Sequence, residues 1–321
     1  LTRQVGMTGI AKLLANIQSD LWRDLLIDWE RFLRAANHPE STRYGYVLAA
    51  CQLAAYLVDE LPGSGPALDP RLVTRRQVVA FQAWMIETRS PATAVNKYKS
   101  LQQFFRWLLQ EEEIERSPIE GVPLPNVGQK LIPVISDAET QEILGVCRGN
   151  SFLQLRDQAL VRMYYNTGAR LSEIGCLLVA DLDLDTNSVV LHGKGDKERR
   201  VRFGSRTARI LTRYLRARNR RDGIAEVKEL WIADRGTRPL KSSGIKIRLK
   251  RIGEKAGLSG VYAHRWRHSF AHEWRLAGGD TGDLMMVLGW SSEEMARRYG
   301  ANAAAERAQR TQARLGIGER V

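Results

Sequence analysis

The spacing of apolar residues divides the chain into two parts of different character. Over residues 21–110 apolar side chains recur every three or four positions, the period of a helix with one buried face. The pattern predicts helices over 21–36, 41–61, 74–88 and 92–113. The turn His38-Pro39-Glu40 separates the first two, with Ser41 and Thr42 placed to cap the second. Residues 61–70 read as a loop, because the Pro and Gly crowded there do not propagate a helix. Ser90-Pro91 suits a helix start, since proline is tolerated in the first turn. Residues 1–20 are expected to be an extension ahead of the first helix.

Residues 117–133 hold Pro118, Pro123, Pro125 and Pro133 with little apolar periodicity, and read as an interdomain linker. The pattern beyond it is mixed. Helices are predicted over 137–147, 152–165, 206–221, 242–256, 267–277, 280–288 and 293–299, followed by an Ala-rich tail over 302–315. Short strands are predicted over 188–192 and 199–203, around the turn Gly193-Lys194-Gly195-Asp196-Lys197, and a third over 230–233. The expected fold class is therefore mainly α with a small antiparallel β-sheet, α+β, in two domains: an extension over 1–20, a helical domain over 21–116, the linker over 117–133 and a second domain over 134–321.

Length agrees with that division, because 321 residues exceed what one core usually supports. No apolar run reaches the roughly 18 residues a membrane span needs, and the start lacks the order of a signal peptide. A cytoplasmic protein is expected, with no membrane partner. Cys51, Cys147 and Cys176 are far apart and lack an adjacent His, which argues against a disulfide framework or a zinc site. They read as buried thiols. Net charge adds a partner: it is +13 in all, of which residues 131–321 carry +12. A positive potential confined to the second domain favours a polyanion, and basic residues such as Lys197, Arg199, Arg200, Lys241 and Lys246 are candidate DNA contacts; the alternative is a solvated helix face.

Four segments of the second domain hold candidate chemistry. In Asn166-Thr-Gly-Ala-Arg-Leu-Ser-Glu-Ile174 one helix stops at Gly168 and another starts, so Arg170 stands at a helix junction, where it can hold a phosphate with Glu173 orienting it; a surface Arg–Glu pair is the alternative. Lys194 lies in a Gly-x-Gly turn, either as a solubilising lysine or as a proton donor at a DNA groove. His264-Arg-Trp-Arg-His268 is the densest cluster in the chain. His268 and His272 have the spacing of a helical metal pair, but no third ligand stands at a suitable offset and Arg265 and Arg267 would repel a cation, so the cluster suits an oxyanion. Trp290 is expected at a turn and Tyr299 at the end of a short helix, where a tyrosine is ordinarily packing.

Taken in order, these segments resemble the catalytic domain of the tyrosine recombinase/integrase family, with its Xer, Cre and lambda-type members. Arg170 matches the family's first arginine and Glu173 its accompanying acid; Lys194 matches the hairpin lysine; His264 and Arg267 match the His-x-x-Arg pair, completed by His268; Trp290 falls at the His/Trp position and Tyr299 at the nucleophile. The intervals of 24 from Arg170 to Lys194, 23 from Arg267 to Trp290 and 9 from Trp290 to Tyr299 resemble those of Xer-type enzymes. Trp266 stands where leucine is usual and Gly300 where threonine often follows the nucleophile. Trp290 replaces the commoner histidine, and its indole N–H can donate a hydrogen bond but cannot titrate.

The resemblance implies a site-specific recombinase that cleaves and rejoins double-stranded DNA through a 3′-phosphotyrosine, with no cofactor, neither metal nor ATP. It implies a SAM-like core-binding first domain, a homotetramer in the synaptic complex from a free monomer or dimer, a C-terminal helix contacting a neighbouring protomer, and work on the nucleoid. A single-subunit type IB topoisomerase and a non-catalytic DNA-binding regulator share parts of the pattern. The integrase-like intervals argue against the first, and the filled active-site positions against the second.

Overall fold

The structure, a computed structural model, describes residues 9–63, 65–128, 132–193, 197–296, 308–309 and 311–320. It divides into two compact units, Leu1–Gln129 and Lys130–Val321.

The described part of the first unit is helical: α1 (Gly9–Ala15), α2 (Asp20–Ala35), α3 (Glu40–Glu60), α4 (Gly65–Leu68), α5 (Arg75–Thr88) and α6 (Pro91–Gln110). Helix α2 starts where the Ser19 side chain accepts the Trp22 backbone N–H, and it buries Trp22, Leu26, Trp29 and Leu33 along one stripe. Helix α3 buries Val47, Ala50, Leu53 and Leu57 together with Ala49 and Ala54, as a central helix must. Phe104 of α6 meets Trp22 and Trp29 at ring separations of 5.9 and 4.9 Å.

Four local expectations change here. Ser41 and Thr42 lie inside α3, whose N-cap is Pro39 with no side-chain cap bond. The loop over 61–70 holds the single turn α4, with Pro66 in its first turn. Within the stretch read as an extension, residues 9–15 form α1, which buries Ile10. In the stretch read as a linker, Ile119 and Val122 pack into the core of the first unit, and the Arg75 guanidinium donates to Gly121 O.

The second unit has the mixed pattern expected of it. Its elements begin with α7 (Asp137–Val146), α8 (Phe152–Thr167) and α9 (Leu171–Gly175), continue through β1 (Leu182–Asp183), β2 (Ser188–His192) and β3 (Glu198–Arg202), and go on to include α10 (Ser205–Asn219), α11 (Ser242–Lys255), α12 (Ala263–Leu276) and α13 (Thr281–Leu288). The described strands form one antiparallel sheet in the order β1-β2-β3, with Leu191 opposite Arg199 and His192 opposite Glu198. Residues 230–233 are not its third strand. Ile232 makes only an isolated bridge to Pro239, and Trp231 is buried with its indole N–H on Ile174 O at 2.8 Å. The third strand is β1, too short to show an alternating pattern.

Helix α8 is the core of this unit and is buried on most of its circumference. Even Arg156 and Asp157 lie inside. Arg156 donates to Ile232 O at 2.9 Å and to Asp234 at 2.7 Å, while Asp157 accepts from Arg248 Nε at 2.8 Å, so the buried charges are paired as burial requires. Cys51 and Cys147 are buried as expected, and burial pushes both thiols up to about 12. Cys176 is exposed, contrary to the expectation of a buried thiol, because it follows the last turn of α9 where the chain reaches the surface. Among the described residues no helix is long and apolar enough to cross a membrane.

Candidate active site

Two helix ends build the site. Helix α8 stops at Gly168 and α13 at Gly289, each in the left-handed region with φ of 56° and 62°. That conformation favours glycine, and there is no room for a side chain at 168: a Cβ would lie 2.8 Å from Leu288 Cδ2 and 2.9 Å from Phe270 Cγ. A helix end leaves carbonyls without partners inside the helix, and these carry partial negative charge. Arginines take them here. Arg267 donates to Gly168 O at 3.0 Å and to Leu288 O at 2.5 Å, and Arg170 donates to Gly289 O at 3.0 Å. The carbonyls thus fix both guanidiniums and offset the cost of burying Arg267, which is only 2% exposed.

Glu173 sets the first arginine. Arg170 stands at the N-cap position of α9, and the Glu173 carboxylate accepts its backbone N–H at 2.7 Å and its Nη1 at 2.8 Å. The same carboxylate accepts Arg199 Nη1 at 2.9 Å and Nη2 at 2.8 Å. Burial pushes the Glu173 carboxyl up, but the bonds from Arg199 and Arg170 outweigh it and hold the group at about 2. The Arg170–Glu173 pair is therefore part of an internal charge network.

Arg199 is not the solvent-facing DNA contact expected of it. Its side chain is 12% exposed, and both ends of its guanidinium are taken by Glu173 and by Val287 O, the latter at 2.7 Å from Nε. Alternation along β3 turns it inward. The other basic candidates are on the surface: Lys197, Arg200, Lys241 and Lys246 are exposed, and Arg200 donates to Ser188 Oγ at 3.0 Å.

Helix α12 starts at Ala263, four residues before the predicted start, so His264, Arg267 and His268 share a face at i, i+3 and i+4. His264 is exposed and its ring meets the buried His268 ring edge-on at 4.8 Å. Arg265 turns the other way and donates to Pro133 O and Val134 O at 3.0 Å each. Trp290 is 7% exposed, and its ring lies 5.3 Å from the Arg267 guanidinium carbon.

Arg170, His264 and Arg267 line one open cavity of about 460 Å³ together with Leu171, Ser172, Ser242 and Met295. Ser242 and Met295 were not legible as site residues, since neither carries a motif and both arrive through tertiary packing. Lys194 and Tyr299 lie outside the described residues. Their flanks are described: Gly193 N–H donates to Lys197 O at 2.8 Å across the turn, and residues 293–296, just ahead of Tyr299, are helical. No group of three or more His, Cys, Asp or Glu side chains among the described residues is placed to hold a metal ion. Chemically, the cavity presents fixed cations and an imidazole to one spot, an arrangement that receives an oxyanion.

Comparison with known proteins gives this arrangement a family. Residues 133–306 match the phage integrase family, and residues 25–115 match the phage integrase N-terminal SAM-like domain. The chain is 30% identical over 217 residues to the tyrosine recombinase XerC of Bacillus pumilus (strain SAFR-032), covering 64% of this chain and 69% of that protein. It is 31% identical over 215 residues to XerC of Bacillus subtilis (strain 168), covering 65% and 70%. Its fold is shared with the XerH site-specific recombinase bound to palindromic difH substrate, with a TM-score of 0.72 at 21% identity over 99% of this chain and 91% of that one. It is shared also with the Tn1549 transposon integrase in complex with transposon right end DNA, with a TM-score of 0.69 at 19% identity over 92% and 99%. The chain belongs to the phage integrase family and is a tyrosine recombinase, an enzyme that cleaves and rejoins DNA strands.

Proposed function

We propose that this chain recombines double-stranded DNA at a specific site through a covalent 3′-phosphotyrosine on Tyr299. The observation that carries the reading is the cavity where Arg170, His264 and Arg267 meet, with Glu173 held ionised behind Arg170. Cleavage places growing negative charge on the non-bridging phosphate oxygens, and Arg170, Arg267 and Trp290 supply fixed donors for it. His264 takes the Tyr299 proton, Tyr299 oxygen bonds to phosphorus, and Lys194 protonates the departing 5′ oxygen. The phosphotyrosine conserves the bond energy for rejoining. His268, buried against His264, orients that ring.

The similar XerH and transposon integrase structures hold DNA, and a similar lambda integrase structure is a dimer bound to a core site. By that likeness the partner of this chain is a duplex carrying a recombination site. The working form is a homotetramer on two duplexes, with residues 302–315 as the contact to the next protomer and the helical first domain, over 21–116, on the same duplex. Exposed Lys197, Arg200, Lys241 and Lys246 contact phosphates, and the enzyme works in the cytoplasm on the nucleoid. Incubating the protein with fragmented genomic DNA, denaturing, and sequencing what stays attached tests this. The expected result is one enriched sequence with inverted-repeat arms and exchange between two copies of it. Attachment without sequence preference, or supercoil relaxation without exchange, overturns the site-specific reading.

A further inference from the structure

The side chain of Arg199 touches three of the segments on which the proposed chemistry depends: α9, the end of α13 and the β2–β3 hairpin. Its Nη1 and Nη2 hold both oxygens of Glu173, the carboxylate that fixes Arg170. Its Nε donates to Val287 O, one residue before Leu288, whose carbonyl holds Arg267. A Cβ on Gly289 would lie 3.1 Å from Arg199 Nη1, so that backbone packs directly on the guanidinium. A Cβ on Gly193, the residue before Lys194, would lie 3.8 Å from both Arg199 Nη1 and Glu173 Oε1. The hairpin backbone thus reaches the same ion pair from the other side.

We propose that Arg199 is a positioning residue that sets the register of the β2–β3 hairpin, and of the lysine it carries, against the arginine pair that holds the phosphate. The inference rests on the reading of Lys194 as the leaving-group acid. Arginine suits the place because its planar fork grips a carboxylate through two parallel bonds while Nε serves a third partner, which lysine cannot do. A contact to DNA is not available to a guanidinium this enclosed. Position matters because an acid displaced by about 1 Å from its proton acceptor loses on the order of 10²-fold in rate.

In the step concerned the Tyr299 oxygen forms its bond to phosphorus, the bond from phosphorus to the 5′ oxygen breaks, His264 receives the tyrosine proton and Lys194 gives a proton to the 5′ oxygen. Sulfur in place of that 5′ oxygen leaves as a thiolate and needs no proton. The experiment compares single-turnover cleavage of oxygen and 5′-bridging-sulfur duplexes, built on the site recovered by trapping, by wild type, Lys194→Ala, Arg199→Gln and Arg199→Lys. The ratio of the two rates does not depend on the folded fraction, so a partly unfolded variant is still informative. Lys194→Ala is expected to slow on oxygen by roughly 10²-fold or more and to recover on sulfur. Arg199→Gln is expected to show the same selective recovery, by about tenfold or more, with Arg199→Lys between it and wild type. Equal slowing of Arg199→Gln on both substrates, beside a recovered Lys194→Ala, overturns the role of Arg199. Failure of Lys194→Ala to recover overturns the reading of Lys194, and this inference falls with it.

Discussion

Replacing Glu173 by Gln keeps the shape of the side chain and removes its charge. Two arginines then face a neutral amide inside the protein, and one of the bonds that fix Arg170 reverses its donor and acceptor needs. The carboxyl is held at about 2 against an ordinary 4.5. A shift of that size corresponds to about 3 kcal/mol of stability from this charge. The Arg170 side chain is 38% exposed, so solvent screening reduces the figure to about 2 kcal/mol. The sign follows from the depressed value: the stabilisation is complete above the unfolded carboxyl's pH range and is lost as pH falls from about 4.5 toward about 2.

Urea unfolding of wild type and Glu173→Gln at a series of pH values measures this directly. At pH 7 wild type should exceed the variant by about 2 kcal/mol, and roughly half of that difference should be gone by pH 3, because the carboxyl of the unfolded chain is by then protonated while the native one is still mostly ionised. The same variant should cleave DNA more slowly, because Arg170 is no longer held from below. A difference under about 0.5 kcal/mol at pH 7, the size expected of an ordinary surface position, or one that does not change with pH, refutes the ionised network.

Other expectations follow from the same geometry. Gly168→Ala should destabilise the second unit by about 2–4 kcal/mol through left-handed strain and the clash with Leu288 and Phe270. Gly145→Ala, inside α7 with nothing within 4 Å of its new methyl, should stabilise by about 0.5–1 kcal/mol; thermal melts of the pair check both, and equal Tm values contradict the account. Lys241→Ala and Lys246→Ala should each weaken DNA binding across sequences and reduce the slope of log affinity against log salt by about 1, whereas a loss confined to one sequence would make them base readers. A thiol reagent should label Cys176 in the native protein and leave Cys51 and Cys147 untouched until unfolding; rapid labelling of more than one thiol contradicts the burial described.

What the sequence made legible was mostly local. Gly168 followed by Arg170 marked a helix stop and a helix start, because the left-handed conformation that ends α8 favours glycine and α9 begins directly after Arg170. The helical periods of the first domain were equally plain, since Trp22, Leu26, Trp29 and Leu33 recur as one stripe. The start of α12 was set too late because Tyr262 stands where a Ser, Thr, Asp or Asn cap would have announced it. Pro39 in place of Ser41 is a similar case, a helix start without a side-chain cap. The partner of Arg199 was hidden for a different reason. Glu173 is 26 residues away, and nothing in either segment says that β3 folds back against α9. An arginine in a basic run reads as surface until its neighbours in space are known.

The central claim is that Tyr299 is the atom donor that links protein to DNA, and one measurement addresses it most directly. A duplex carrying the recovered site, nicked so that the strand beyond the cleaved phosphate diffuses away, traps the intermediate. Wild type should shift to a covalent protein–DNA species that survives denaturation. Tyr299→Phe should bind the duplex with unchanged affinity and form none. A covalent species from Tyr299→Phe, or none from wild type under conditions where binding is measured, contradicts the account.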